Sequence, residues 1–184
     1  MSDLSIPTYF LDAYYDGSKY PGSSKCKGIK NGANCQYFAY ELLRHFRLVI
    51  PDFRSSNLWE DKISTKKVKT IQPLDLVLFN KTKDPYGAHV GVYLGNDKII
   101  HLSKEVGYPT VWDFKDFKKR ENYKVFIGAK RVTKSLQESL AKLRHATLIA
   151  STGSSTRLAG SRLSDKEVRR ISKSSERKQV HRIR

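Results

Sequence analysis

Two periodicities divide the chain. Phe38, Leu42, Leu43 and Phe46 recur at i, i+4, i+5 and i+8, the spacing of one buried helical face. Asn34 stands just before this run, where its side chain can accept hydrogen bonds from the free amides of a first turn, so it is the candidate N-cap. Pro51 is read as the end of the helix. On this reading Cys35 lies in the first turn.

Farther along, the pattern shortens to that of strands. Leu76-Val77-Leu78-Phe79 is a short apolar run. His89-Val90-Gly91-Val92-Tyr93-Leu94 is rich in β-formers, and Gly95-Asn96-Asp97 is a hairpin signal leading into Lys98-Ile99-Ile100-His101-Leu102. Thr110-Val111-Trp112 and Val125-Phe126-Ile127-Gly128-Ala129 complete the set. Consecutive strands with such short connections predict an antiparallel meander rather than βαβ units. The fold class is therefore α+β, with helix first and sheet after.

The flanks are less regular. Ahead of the helix, an aromatic patch (Tyr9, Phe10, Tyr14, Tyr15) passes into a loop broken by Gly17, Gly22, Gly28 and Gly32. After about residue 132, Leu136, Leu140 and Leu143 form a stripe that predicts a helix over 133–150. Residues 151–184 are Ser- and Arg-rich and read as a mobile tail, with a short helix allowed by the Ser164-x-x-Glu167 capping pattern. The main domain is assigned to 1–132, and no internal repeat is evident.

Charge adds a partner class to this outline. The net charge is +17, and from Thr133 to Arg184 there are 13 Lys and Arg against 4 Asp and Glu, a surplus of 9. Such a tail is drawn to an anionic polymer or a membrane surface, and no fold that reads nucleic-acid sequence accompanies it. No run of about 18 apolar residues suggests a membrane span. The first seven residues lack a basic segment followed by an apolar one, so the expected location is cytoplasmic, or outside the cell by release without a secretory signal peptide.

Candidate chemistry centres on Cys35, since free amides and the positive end of a helix favour a thiolate. His89, at the start of a strand, can serve as its base. His101 follows across the hairpin at a separation of 12; with the turn centred on Asn96, an even separation places both imidazoles roughly opposite each other on one face. The second imidazole would then fix the tautomer of the first, as the third member of a triad does. A metal site built from Cys35, His89 and His101 lacks any local ligand spacing, and neither metal nor cofactor is expected. Cys26, in a Lys-flanked loop without a histidine block, reads as an exposed thiol, though a disulfide to Cys35 is allowed by so short a segment. His45, His145 and His181 read as helix-surface or tail residues.

The blocks Asn34-Cys35, Pro73-Leu74-Asp75-Leu76-Val77, His89-Val90-Gly91-Val92-Tyr93-Leu94-Gly95 and Ile100-His101 occur in an order that resembles the NlpC/P60 group of papain-like cysteine peptidases. The similarity runs over about residues 15–132, through Gly128-Ala129-Lys130-Arg131-Val132. The resemblance implies a papain-like fold, with N-terminal helices packed on a central antiparallel sheet. It implies Cys35 as nucleophile, His89 as base and His101 as orienting residue. Gly17-Ser18-Lys19-Tyr20 is similar to a segment whose tyrosine stabilises the oxyanion, which implies that role for Tyr20. Three departures stand out: Asn34 for an aspartate, Gln36-Tyr37 for Ser-Gly, and Leu74 for a glycine. They leave nucleophile and base in place and alter the substrate pocket.

The expected activity is a cysteine amidase or peptidase working through a thioacyl-enzyme on a peptide or peptidoglycan-like amide. An acyl or peptidyl transferase would use the same thioester with another acceptor. The competing class is a non-catalytic module of this fold, recruited to an anionic partner by the basic tail.

Overall fold

Six antiparallel strands form one sheet in the computed structural model, which describes residues 4–133. The order across the sheet is β1 (Thr65–Val68), β6 (Val125–Val132), β2 (Leu76–Asn80), β3 (His89–Gly95), β4 (Lys98–Leu102) and β5 (Pro109–Asp113). The meander expected from the sequence is present from β2 to β5. The last strand then returns to lie between β1 and β2, so the sheet is more than a meander. The expected helix at 133–150, the basic tail, His145 and His181 lie outside the described residues.

Alternation along the central strands separates two faces. Leu76, Leu78, Val90, Val92, Ile100 and Leu102 form one core with Phe38, Leu42 and Leu43 of helix α1 (Cys35–His45). Val77, Phe79, Ile99, Trp112 and Ala129 form a second, closed by Phe117 of helix α3 (Phe114–Lys118). Helix α1 stops at His45 rather than at Pro51, because Phe46 leaves helical geometry and Arg47 takes a φ of 63°. A short helix α2 (Ser55–Glu60) fills the connection to β1.

Two polar staples hold the sheet's β6 side. Asp75, 1% exposed, receives two 2.8 Å hydrogen bonds from Arg131 and a 2.7 Å bond from the amide of Gln72. Lys130 is fully buried on the same strand and donates to the carbonyls of Trp59 and Asp61, where α2 ends. Burial without water obliges such groups to find partners, and both do.

Candidate active site

The first turn of α1 is fixed from both sides. Asn34 is extended (φ −82°, ψ 174°) and its side chain accepts from the amide of Tyr37 at 2.8 Å, the N-cap geometry expected from sequence. Its own amide donates to Lys19 at 2.8 Å, while Ala33 bridges to Tyr15 and the amide of Tyr15 donates to Gly107. Cys35 is the first helical residue. It keeps partial solvent exposure, yet its sulfur is enclosed enough that burial pushes the thiol above its ordinary pKa. The backbone amides of Val90, Gln36 and Cys35 itself, with the charge of Arg54, pull the other way.

The histidines come together through an irregularity. Asn96 and Asp97 have φ values of 49° and 60°, which makes a two-residue turn and sets Gly95 opposite Lys98. Carried along the strands, that register would put His101 on the face opposite His89. A bulge between Tyr93 and Gly95 absorbs one residue, so that Tyr93 faces Ile99 and Val92 faces Ile100. The shift returns both imidazoles to one face, as diagonal neighbours rather than directly opposed. His89 Nε2 then lies 3.0 Å from His101 Nδ1, with the rings at 88°.

Their surroundings are aromatic. Trp112 and Phe117 stand 4.1 and 4.9 Å from the His101 ring, and Tyr123 stands 4.7 Å from that of His89. Burial lowers His89 to about 3. Burial, with the charges of His89 and Arg120, lowers His101 to about 2. Both rings are therefore neutral at physiological pH. A base at Nδ1 of His89 requires its proton on Nε2, donated to Nδ1 of His101. His101 Nε2 is buried with no hydrogen-bond partner among the described residues.

Helix α1 and the two rings occupy different faces of the sheet, and they meet at the start of β3. Val90, whose amide acts on the Cys35 thiol, is the residue after His89. Tyr123, whose ring is tilted 44° against that of His89, is raised to about 12 by burial and by the charges of Glu105 and Cys35. Cys35 and His89 thus share neighbours on both sides.

Tyr20, expected to stabilise the oxyanion, has Arg54 over its ring. Its ring lies 4.2 Å beneath the guanidinium of Arg54, and the tyrosine whose ionisation feels Cys35 in that part of the chain is Tyr15. Tyr20 and Arg54 line a cavity of about 490 Å³ with Ser55, Asn57, Tyr86 and Gly87. Sequence reasoning passed over Arg54 and Tyr123, since neither stands in a motif and each reaches the site only through folding.

The remaining candidates are accounted for. Cys26 and Cys35 are both free thiols, and Cys26 is partly buried, its sulfur 3.2 Å from the carbonyl of Tyr20. His45 closes α1 with Nδ1 3.3 Å from the hydroxyl of Tyr9. No cluster of metal-ligating side chains is found among the described residues. Nor is any helix among them long and apolar enough to cross a membrane.

Residues 17–124 match the sequence model of the NlpC/P60 family. No curated protein matches the chain. Similar solved structures include an NlpC/P60 family protein from Bacillus cereus ATCC 10987 (18% identity, TM-score 0.46, covering 66% of this chain and 37% of that one). The peptidoglycan hydrolase RipB from Mycobacterium tuberculosis is 19% identical with a TM-score of 0.45, covering 67% of this chain and 59% of RipB. NlpC1 from Trichomonas vaginalis is 18% identical with a TM-score of 0.46, covering 68% and 42%. The chain thus spans 37% to 59% of the length of these three.

Proposed function

Because the chain belongs to the NlpC/P60 family, we propose that it is a cysteine hydrolase that cleaves a peptide-type amide through a thioacyl-enzyme on Cys35. The observation that carries this reading is the His89–His101 hydrogen bond at 3.0 Å, on the strand whose next amide acts on the Cys35 thiol.

Burial favours the neutral forms of both partners, so the resting state is thiol and imidazole rather than an ion pair. As Sγ attacks the carbonyl carbon, the thiol proton passes to His89, whose positive charge is steadied by its bond to His101. The amides of Cys35 and Gln36 at the helix start are donors for the oxyanion. When the carbon–nitrogen bond breaks, His89 returns the proton to the leaving amine. Water then loses a proton to His89 and attacks the thioester, releasing a carboxylic acid and restoring the thiol. A peptidoglycan stem or another peptide supplies the amide; with an amine acceptor in place of water the same thioester gives transfer.

Alkylation by iodoacetamide at neutral pH, read at Cys35 by peptide mass spectrometry, tests the pair. His89→Ala is expected to slow it at least about tenfold. If the rate is that of an ordinary thiol and His89→Ala leaves it unchanged, the catalytic reading fails and a binding module remains. Intact mass after incubation with an activated ester reports the acyl-enzyme, and the products with and without an added amine separate hydrolysis from transfer.

A further inference from the structure

The cavity lined by Tyr20 and Arg54 carries one formal charge on its wall, that of Arg54, and this charge acts on the Cys35 thiol. Loops from three parts of the chain form the cavity: the segment at Tyr20, the start of α2 at Ser55 and Asn57, and the approach to β3 at Tyr86 and Gly87. Gly87 stands two residues before His89, on the segment that leads into β3. Arg54 makes no ion pair among the described residues, and its guanidinium carbon lies over the Tyr20 ring, 4.2 Å from the centroid. A guanidinium seated over an aromatic ring can keep N–H donors available for a carboxylate. Ser55 and Asn57 add polar groups, and the Tyr86 ring, 79% exposed, gives an apolar flank.

The geometry points to an anion subsite here: the substrate carries a carboxylate close to the scissile amide, and Arg54 binds it. This deepens the proposed amide hydrolysis by naming the substrate class, and it rests on that reading for the reaction alone. The same charge favours the Cys35 thiolate, so Arg54 serves both substrate and nucleophile. Tyr20 becomes a positioning residue that acts through the ring beneath Arg54.

Iodoacetate and iodoacetamide deliver the same carbon to the same sulfur, with loss of iodide, and differ in that one carries a carboxylate. The ratio of their rates at Cys35 therefore cancels any change in thiolate fraction. In the unaltered protein the ratio is expected to favour iodoacetate and to fall with added formate or salt. Arg54→Gln is expected to lower the ratio about tenfold, the effect of one unit charge at short range in a partly solvated site. Arg54→Lys should recover part of it, Tyr20→Phe should preserve it, and Tyr20→Ala should reduce it. A ratio unaffected by formate and unchanged in Arg54→Gln would overturn the subsite. The iodoacetamide rate in His89→Ala tests the catalytic pair separately, so the two failures are distinguishable.

Discussion

The ring of His89 stands perpendicular to that of His101, with Nε2 of the first 3.0 Å from Nδ1 of the second. The bond fixes which nitrogen of His89 is free to take a proton. Replacing His101 by Phe keeps a flat ring among Trp112 and Phe117 but removes the acceptor. It is expected to lower kcat by about 10² to 10⁴, with little change in KM. His101→Gln, which supplies an acceptor again, should recover part of that loss. Equal damage from Phe and Gln would mean that His101 acts only through packing.

Burying two neutral imidazoles also makes the fold sensitive to acid. His89 at about 3 and His101 at about 2 lie below the roughly 6.5 of an unfolded histidine. Between those values the unfolded chain binds the extra protons. Stability from this source is whole above about pH 6.5 and declines as pH falls toward 3, by up to about 1.4 kcal/mol per pH unit for each histidine. Urea unfolding at pH 7 and pH 5 should show the decline, and His101→Phe should flatten it. An unchanged slope in that variant would refute the assignment.

Gly91 lies between the two histidines in the sheet for steric reasons. A Cβ there would sit 2.7 Å from Ile99 Cγ2, 3.2 Å from the Ile100 carbonyl and 3.4 Å from His101 Cβ. Gly91→Ala is expected to cost about 1–3 kcal/mol in urea unfolding, by overpacking. The alkylation rate of Cys35 should fall in the same variant, because the strand carrying His101 must move. Stability and rate both at the level of the unaltered protein would show that the strands yield without cost.

The helix start at Cys35, the histidine-bearing hairpin and the outline of the sheet were legible in the sequence because their signals are local. Asn34 announces the helix start by its cap chemistry, and Asn96-Asp97 announces the turn by its tolerance of positive φ. Thr65-Lys66-Lys67-Val68 gave no strand signal, since it is four residues long and, at the sheet edge, exposes its two lysines to solvent. Helix α2 is too short for a periodic stripe. Asp113 and Asp116 do form a capping box at α3, a pattern present in the sequence but overlooked beside the strand before it. Leu74, with a φ of 71°, occupies a conformation that glycine adopts at no steric cost, which gives the departure from the family pattern a physical meaning. The bulge and the placement of Arg54 and Tyr123 depend on distant contacts and could not be read locally.

The ion pair at the sheet's β6 side makes a contrasting prediction, because it lies away from the chemistry. Asp75→Ala strands Arg131 and the Gln72 amide; with Arg131 partly exposed, the expected loss is about 3 kcal/mol. Activity per folded molecule should stay unchanged. Thermal unfolding with alkylation in parallel would check both, and a selective loss of rate would tie this staple to the site.

The bulge at Leu94 has an implication for how the hairpin tolerates change. It sits between the tip and the histidine pair, so an alteration of chain length at the tip can be absorbed before it reaches them. Removing Leu94 would leave a regular ladder in which Tyr93 still faces Ile99 and the imidazoles still share a face. The tip is thereby uncoupled from the chemistry, and the loop at Asn96-Asp97 is a place where a label, a tag or an altered turn can be grafted without disturbing the reacting groups.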